Sequence, residues 1–308
     1  MTVLDLVVRR TTEIADGIRE LALAAADGRP LPPHPAGSHV VLECGPARNS
    51  YSLTNDGAAP SEYTIAVLRR SGGSVYLHER VPGDTVKASR PRSAFAPVRT
   101  ARKHLLIAGG IGITPMVAHV RDARRWAQNV ELIYVHRLDA GAFAAELTTA
   151  LGPHLHRVTT REDFLGVLKG ALTDQPLGTH LYVCGPGSLT DRVLTDAADA
   201  GWVPQRLHLE RFVPAELDPG REFVARLART GRDVVVPPGT SLLEALLAAG
   251  VAVPNLCRQG ICGECRTPVL AGTPHHRDEY LDDTERTAGT ALMACVSRSE
   301  TDTLELEL

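Results

Sequence analysis

Short apolar runs separated by glycine and proline turns fill the first part of the chain. The runs His39–Glu43, Tyr63–Leu68 and Asp84–Ser89 have strand-like composition, and turn residues such as Gly72-Gly73 lie between them. Short strands at this spacing are typical of a small antiparallel barrel. The pattern therefore predicts an antiparallel β-barrel domain over residues 1–100.

The hydrophobic pattern changes after this segment to buried-type strands that are each followed by a helical stretch. The strands are His104–Ala108, Val130–Val135 and His180–Cys184. Strands that alternate with helices indicate an α/β domain with a parallel sheet, here over residues 101–213. Ligands of such sheets bind at the carboxyl ends of the strands.

The last segment begins after a linker of polar, proline and glycine residues at Pro214–Gly220. The runs Phe223–Arg229 and Asp233–Val236 then predict two strands, and Ser241 with Glu244 forms the S-x-x-E capping box of a helix. Residues 221–308 are thus expected to form a third domain of the α+β class, and the whole chain is predicted to be multidomain.

Composition excludes some function classes. The chain has 308 residues and a formal charge of −3, so no basic surplus attracts nucleic acid. No apolar run is long enough to span a bilayer, and the N-terminus lacks the pattern of a signal peptide. We expect a cytoplasmic protein without a nucleic-acid or membrane partner, and a monomer.

Four of the six cysteines lie within the last 52 residues. Cys257, Cys262 and Cys265 give C-x4-C-x2-C, and 29 residues separate Cys265 from Cys295. This is the plant-type ligand spacing of a 2Fe-2S cluster. The alternatives are a zinc site, which usually contains C-x2-C twice, and buried thiols that match the spacing by chance. Gly260 and Gly263 fit a loop folded tightly around inorganic sulfide.

The cysteine segment resembles the ferredoxin domain of the phthalate dioxygenase reductase and vanillate O-demethylase reductase family. The similarity is carried by Cys257-Arg-Gln-Gly-Ile-Cys262-Gly-Glu-Cys265, by His276-Arg277-Asp278, by Cys295-Val-Ser-Arg298 and by the terminal Leu-Glu-Leu. It continues upstream over nearly the whole chain. The resemblance implies a β-grasp-like ferredoxin domain after an FMN domain and a nicotinamide domain.

A strand, a glycine turn and a helix start occur in Leu105-Leu-Ile-Ala-Gly109-Gly110-Ile-Gly112-Ile-Thr114-Pro115. Glycines let the backbone approach a pyrophosphate, Thr114 is expected to cap the helix, and Pro115 suits its first position. The alternative is a tight turn of any α/β protein.

A second motif, Val183-Cys184-Gly185-Pro186, ends a later strand. Cys184 alone would suit a buried small hydrophobe. The resemblance instead implies that it lies near the hydride-donating carbon of the nicotinamide, in a positioning role. Arg137 follows the strand Val130–Val135, at the place where the adenosine ribose would lie in this family. Because the Asp139 carboxylate would repel a 2′-phosphate, NADH is favoured over NADPH.

The segment Arg48-Asn49-Ser50-Tyr51-Ser52-Leu53 resembles the flavin motif R-x-Y-S-L of the family, with one additional residue between Arg and Tyr. The resemblance implies that Tyr51 packs on the flavin ring and that the Ser52 hydroxyl reaches its reactive nitrogen. Arg48 or Asn49 would take the arginine role. Gly73 and Ser74 resemble the part that holds the phosphate; no segment suits the adenosine half of FAD, so FMN is favoured.

The predicted function is an NADH-dependent reductase component. Its electrons would pass from NADH to FMN, to the 2Fe-2S cluster, and then to a Rieske-type aromatic oxygenase or O-demethylase. The redox partner of a haem-thiolate, cytochrome P450-type monooxygenase is the alternative acceptor assignment. A metal-binding regulatory or scaffold protein without turnover is the alternative from another class.

Overall fold

The structure is a computed structural model, and it describes residues 3–45, 47–93, 95–137, 141–212, 218–255, 258, 260, 262–278 and 280–308. The predicted ligand Cys257 and residue Asp139 lie outside the described residues. The chain divides into two compact units, Met1–Phe212 and Val213–Leu308.

The first unit begins with an antiparallel sheet of seven strands and one short helix. The elements are β1 Leu4–Ala15, β2 Ile18–Ala25, β3 Ser38–Cys44, β4 Ala47–Ser52, β5 Tyr63–Leu68, α1 Gly73–His78, β6 Thr85–Ala88 and β7 Arg92–Ser93. The strand order is β4-β3-β6-β1-β2-β5, with β7 beside β3. An antiparallel bridge between Leu53 and Ile65 links the chain just after β4 to β5, which joins the two ends of this order.

A parallel sheet of five strands with four flanking helices follows in the same unit. The elements are β8 Lys103–Gly109, α2 Ile113–Arg125, β9 Val130–Val135, α3 Ala144–Leu151, β10 Leu155–Val158, α4 Arg161–Thr173, β11 Thr179–Cys184, α5 Gly187–Asp199 and β12 Leu207–Glu210. The order is β10-β9-β8-β11-β12, and all neighbours are parallel. The predicted parallel sheet is confirmed.

The central strand of this sheet is covered on both faces. Leu105 and Ile107 belong to one apolar core, whereas Leu106 and Ala108 belong to another. All four side chains are fully buried, as expected for a strand in a parallel sheet with helices on both faces.

Polar contacts fix the two sheets of the first unit to each other. The Arg121 guanidinium on α2 donates to the Thr54 carbonyl at 2.6 Å and pairs with Glu146 at 2.7 Å. The Val98 N–H, between the two sheets in sequence, donates to the Tyr182 hydroxyl at 2.8 Å. These contacts join α2 to the chain that leaves β4, and β11 to the segment that precedes β8.

The second unit contains a mixed five-stranded sheet. Its elements are β13 Phe223–Leu227, β14 Arg232–Val236, α6 Leu242–Ala248, β15 Arg266–Ala271, β16 Pro274–His275, α7 Asp283–Ala288, β17 Ala291–Met293, β18 Arg298–Ser299 and β19 Thr303–Leu306. The order is β14-β13-β19-β15-β17, with β13 and β19 parallel, and β16 pairs with β18 separately. The predicted capping box is confirmed, because Ser241 and Glu244 bond reciprocally at the start of α6.

Strands predicted from the sequence match the observed ones within two residues at each end. Tyr63–Leu68 and Val130–Val135 agree at both ends. The predicted start of α2 is wrong, since the helix begins at Ile113 after a 3-10 turn, Gly110–Gly112. No helix of the described residues is long and apolar enough to cross a membrane.

Candidate functional site

Strand β4 carries the predicted flavin residues, and its pairing with β3 sets their directions. Ser52 lies directly across from His39, and Tyr51 lies across from Val40. The Ser52 side chain is buried, and its hydroxyl has no hydrogen-bond partner within the described part of the chain. A buried hydroxyl without a partner is costly unless a ligand completes it. The residue after it, Leu53, is completely buried and anchors the strand end.

Tyr51 is half-buried beside the thiol of Cys44. Burial raises the pKa of the Tyr51 phenol, and the neighbouring Cys44 adds to the increase. Burial likewise raises the pKa of the Cys44 thiol to about 11. Both groups are therefore neutral at pH 7, and Tyr51 offers an uncharged ring to a planar ligand.

The side chains of Arg48 and Asn49 have different surroundings. The Arg48 guanidinium donates to Glu43 across the strand pair at 3.0 Å and is exposed. The Asn49 side-chain oxygen is buried and accepts no hydrogen bond from the residues that the structure describes. It faces Gly73 so closely that a Cβ at Gly73 would overlap it. The predicted residues of the two flavin segments are thus brought together at Asn49 and Gly73.

Gly73 begins helix α1, which the sequence analysis did not predict. Its neighbour Ser74 closes the preceding turn: the Arg70 N–H donates to the Ser74 Oγ at 2.9 Å, and the Ser74 hydroxyl donates to the Ser71 carbonyl at 3.0 Å. The Ser74 hydroxyl is therefore engaged in the turn in this structure.

The glycine turn and the cysteine motif of the second sheet are in direct contact. A Cβ at Gly112 would overlap the Cys184 carbonyl oxygen, and a Cβ at Gly109 would lie 2.8 Å from the Pro186 ring. Gly185 approaches Gly109 equally closely, with its Cβ position 3.0 Å from the Gly109 Cα. A side chain at Gly112 would collide with backbone, whereas one at Gly109 or Gly185 would force its close neighbours to move.

Cys184 ends β11 and is fully buried. It aligns with Ala108 on β8 and with Glu210 on β12, all at the carboxyl edge of the sheet. This is the edge where parallel sheets bind ligands.

Thr114 and Pro115 occupy other positions than predicted. Thr114 does not cap α2: Gly112 is the N-cap residue, and the Thr114 hydroxyl donates to the Ile111 carbonyl at 3.1 Å. Pro115 is the third residue of the helix. The 3-10 turn starts at Gly110 with φ 55°, a backbone conformation that favours glycine, and moves the helix start forward.

Arg137 lies two residues beyond the end of β9 and is exposed. The carboxyl end of β9 is adjacent to that of β8, so Arg137 belongs to the same edge as the glycine turn. Its exposed cation is available to a polar ligand group there.

The flavin strand and the nicotinamide turn are linked through β5. Leu53 bridges to Ile65 on β5, and β5 contacts the turn Gly110–Gly112. That turn contacts Cys184. The structure therefore brings the predicted flavin and nicotinamide residues to one region of the first unit.

Three of the four predicted cluster ligands are described: Cys262, Cys265 and Cys295, all buried. The Ala294 N–H donates to the Cys265 carbonyl at 3.1 Å, which holds the residue before Cys295 against Cys265. This contact continues the pairing of Arg266 with Met293. The distant cysteine is thus brought to the cysteine loop by the β15–β17 ladder.

Two glycines of the cysteine loop have left-handed backbones, Gly260 at φ 75° and Gly263 at φ 77°. A Cβ at Gly260 would lie 2.7 Å from Val296, and one at Gly263 would overlap the Tyr280 ring. Buried Asp278 supports the loop by accepting from the Leu281 N–H at 2.9 Å and the Ser297 hydroxyl at 3.0 Å.

Two features of the first unit that involve histidines were not predicted from the sequence. His39 lies next to Ser52, and neither of its ring nitrogens has a partner among residues of known placement. Tyr182 is surrounded by rings, with His208 stacked at 4.3 Å between centroids and His119 at 4.8 Å. No motif marks either feature; only the alternation of β3 could have placed His39 beside Ser52.

The residues present fit a flavin. The polar atoms left without partners at Asn49 and Ser52 lie in the predicted flavin segments, where a heteroaromatic ligand with polar edges would complete them. Three buried cysteines, Cys262, Cys265 and Cys295, supported by tight glycine turns, fit an iron–sulfur cluster in the second unit.

Two protein-family profiles match the chain. Residues 85–207 match the family described as "Dimethylamine monooxygenase subunit DmmA-like, N-terminal domain", and residues 225–300 match the "2Fe-2S iron-sulfur cluster binding domain".

Among curated relatives, the "Heme-dependent oxidative N-demethylase beta subunit" of Ectopseudomonas mendocina (strain ymp) is 44% identical over 96% of both chains. The "Vanillate O-demethylase oxidoreductase" of Pseudomonas sp. (strain HR199 / DSM 7063) is 37% identical over 99% of this chain and 100% of that protein.

Two solved structures are similar over 99% of this chain. Phthalate dioxygenase reductase, described as a modular structure for electron transfer from pyridine nucleotides to [2Fe-2S], has TM-score 0.73 and 33% identity over 98% of its chain. An intact type IV self-sufficient cytochrome P450 monooxygenase has TM-score 0.83 and 35% identity, and this chain spans 41% of its length.

The fold and the site define a multidomain iron–sulfur flavoprotein reductase, in which a flavin-reductase-like part and a nucleotide-binding parallel sheet precede a 2Fe-2S domain. The chain belongs to the phthalate dioxygenase reductase and vanillate O-demethylase reductase family, as predicted from its motifs.

Proposed function

We propose that this protein carries electrons from NADH through FMN and a 2Fe-2S cluster to the oxygenase component of a monooxygenase or demethylase system. The observation that carries the proposal is the contact of the Gly109–Gly112 turn with the Cys184 motif, next to a flavin-type strand, in a chain that also holds a ferredoxin domain. FAD and NADPH are the less favoured cofactors.

The first sheet is proposed to form the FMN-binding barrel of residues 1–100. The Leu53–Ile65 bridge supports closure, because it joins the two end strands of the sheet. In this barrel Tyr51 packs on the ring and Ser52 reaches its reactive nitrogen, while Asn49 and Gly73 hold the remaining polar edge. Arg48 and Ser74 bind the FMN phosphate once Arg48 has released Glu43 and Ser74 has released the Ser71 carbonyl.

Residues 101–213 are proposed as the NADH domain, with the pyrophosphate beside Gly109, Gly110 and Gly112. Close backbone packing at Gly185 and Pro186 shapes the nicotinamide side of this pocket. Cys184 is fully buried at the carboxyl edge, which suits it to position the nicotinamide rather than to attack it. Arg137 lies at the ribose end of the same edge.

Residues 221–308 are proposed as the β-grasp-like ferredoxin domain, in which Cys257, Cys262, Cys265 and Cys295 hold the cluster. Bound flavin supplies the conversion of a two-electron hydride into single electrons that an iron–sulfur cluster accepts. The chain itself orients the nicotinamide, excludes water around Ser52 and Cys184, and places the cysteines. We propose that it does so as a monomer.

The acceptor is proposed to be a Rieske-type aromatic oxygenase or O-demethylase, a proposal supported by the similarity to vanillate O-demethylase oxidoreductase over the whole chain. A second candidate is a haem-dependent oxidative N-demethylase. It is favoured by the 44% identity to the beta subunit of that enzyme and by the DmmA-like profile over residues 85–207.

The experiment combines purified protein, NADH under anaerobic conditions and, separately, each class of oxygenase. We expect NADH to bleach the flavin and cluster bands, and one oxygenase class to turn over. A coloured protein that NADH leaves unbleached would contradict the reductase proposal. Turnover of a cytochrome P450-type monooxygenase, but of neither proposed class, would contradict only the acceptor assignment.

A further inference from the structure

His39 is a buried histidine with no role in the site as described so far. The residue is 3% exposed, and neither ring nitrogen has a hydrogen-bond partner among the described residues. Buried polar atoms are nearly always hydrogen-bonded in folded proteins, so an imidazole with two unpartnered nitrogens requires an explanation.

The pairing of β3 with β4 places His39 against Ser52. The Leu53 N–H donates to the Ser38 carbonyl at 2.8 Å, which makes Ser38 and Leu53 a hydrogen-bonded pair. The next pair, His39 and Ser52, is therefore a non-hydrogen-bonded pair, in which the side chains share one face with their Cβ atoms about 4.5 to 5.5 Å apart. The Ser52 hydroxyl is likewise buried and unpartnered.

A positive charge lies on the other side of His39. Arg92 on β7 aligns directly with His39, and this is the charged group that acts on the imidazole. Burial, together with Arg92, lowers the pKa of His39 to about 4. The ring is therefore neutral at pH 7 and has a nitrogen lone pair available to accept a proton.

The proposed electron path leaves one proton unaccounted for at the flavin. A hydride carries two electrons and one proton, whereas the cluster takes electrons alone. Once both electrons have left through the cluster, one at a time, the proton that arrived with the hydride has to leave the site. A base within reach of Ser52 is needed to remove it.

We propose that His39 accepts this proton through the Ser52 hydroxyl. The inference rests on the proposed function. The Ser52 oxygen would accept the proton from the ring nitrogen of a bound flavin, while the Ser52 O–H bond breaks and its proton forms an N–H bond on His39. The imidazolium, destabilised by Arg92, then releases the proton to solvent. Serine and histidine return to their starting states, and one proton is released for each NADH oxidised.

The test separates the two half-reactions by rapid mixing of the FMN-loaded protein. His39→Asn should leave flavin reduction by NADH unchanged but slow reoxidation of the NADH-reduced flavin by ferricyanide by about tenfold or more. His34→Asn is the matched control, because His34 is a buried histidine of the same unit whose Nδ1 lies 3.1 Å from the Pro35 carbonyl. It should reoxidise at the wild-type rate.

Two further readouts distinguish a proton acceptor from a structural residue. FMN binding to the flavin-free protein, followed by fluorescence quenching, should be unchanged in His39→Asn, and weaker binding would overturn the proposal in favour of a structural role. Reoxidation of the wild-type flavin should be slower in D₂O than in H₂O.

Absence of that isotope effect would overturn the proposal even if His39→Asn did not fold. Equal reoxidation rates in wild type and His39→Asn would do the same. A wild-type flavin that NADH does not reduce would instead contradict the proposed function itself.

Discussion

Both the side chain and the backbone of Cys184 are closely packed. The residue is fully buried, and its carbonyl oxygen packs against Gly112. A thiol in these surroundings has little access to reagents, which argues against covalent chemistry and agrees with the proposed positioning role.

Cys184→Ala should slow hydride transfer to the flavin by about 10- to 100-fold, because small displacements of a reacting group have effects of this size. The KM for NADH should change little. Stopped-flow bleaching of the flavin measures the rate. Complete loss of reduction in both Cys184→Ala and Cys184→Ser would point to a covalent role and contradict the positioning role.

At the scale of elements, the strands could be predicted from the sequence more accurately than the turns. Val130–Val135 was predictable because a buried parallel strand is a continuous apolar run. The start of α2 was mispredicted because capping preferences pointed to Thr114, whereas the contact of Gly112 with Cys184 fixes a 3-10 turn first. His39 was missed since every residue from Ser38 to Leu42 is buried, which hides the alternation of faces.

The contact between the Gly110–Gly112 turn and β11 can be tested by adding one methyl group at Gly112. Gly112 has helical φ, so Gly112→Ala adds no backbone strain but forces its Cβ against the Cys184 carbonyl. We expect a loss of about 1 to 3 kcal/mol in the free energy of unfolding and a raised KM for NADH.

Gly166→Ala is the matched control for this substitution. Gly166 lies inside α4 with nothing within 4 Å of its Cβ position, so alanine should be neutral or slightly stabilising. Urea unfolding of both variants measures the difference, and equal stability of the two would contradict the proposed contact.

Two histidines, buried His119 and half-buried His208, predict acid sensitivity of the first unit. Burial lowers the pKa of His119 to about 3 and that of His208 to about 4. Unfolded histidines bind protons below about pH 6.5, whereas these stay neutral when folded, so stability is full above that pH and falls as the pH drops toward 4.

Thermal unfolding of the full chain at pH 7, 6 and 5 should show this decrease in Tm. His208→Phe keeps an aromatic ring against Tyr182 and removes one titrating group, so its Tm should fall less steeply with acid. An equal or steeper fall would contradict the assignment of acid sensitivity to this group.

At the scale of the whole molecule, the two units contribute different parts of one path. The first unit collects the residues predicted to bind flavin and nicotinamide, and the second contains the cysteines predicted to hold the cluster. Buried Arg298 stabilises the start of the second unit. Its guanidinium donates to the Arg221 carbonyl at 2.9 Å and to the Pro237 carbonyl at 3.0 Å. The spacing of the cysteines was enough to predict a 2Fe-2S cluster from the sequence. The β15–β17 ladder that brings Cys295 to Cys265 could be recognised only from the fold.

An anaerobic titration with NADH, followed by absorbance and by electron paramagnetic resonance, tests the central claim most directly. FMN accepts two electrons and the cluster one, so full bleaching should require about one and a half equivalents of NADH and produce a reduced-cluster signal. Cys295→Ser should bleach its flavin with about one equivalent and give no native cluster signal. A wild-type protein whose cluster stays oxidised while its flavin bleaches would contradict the proposed electron path.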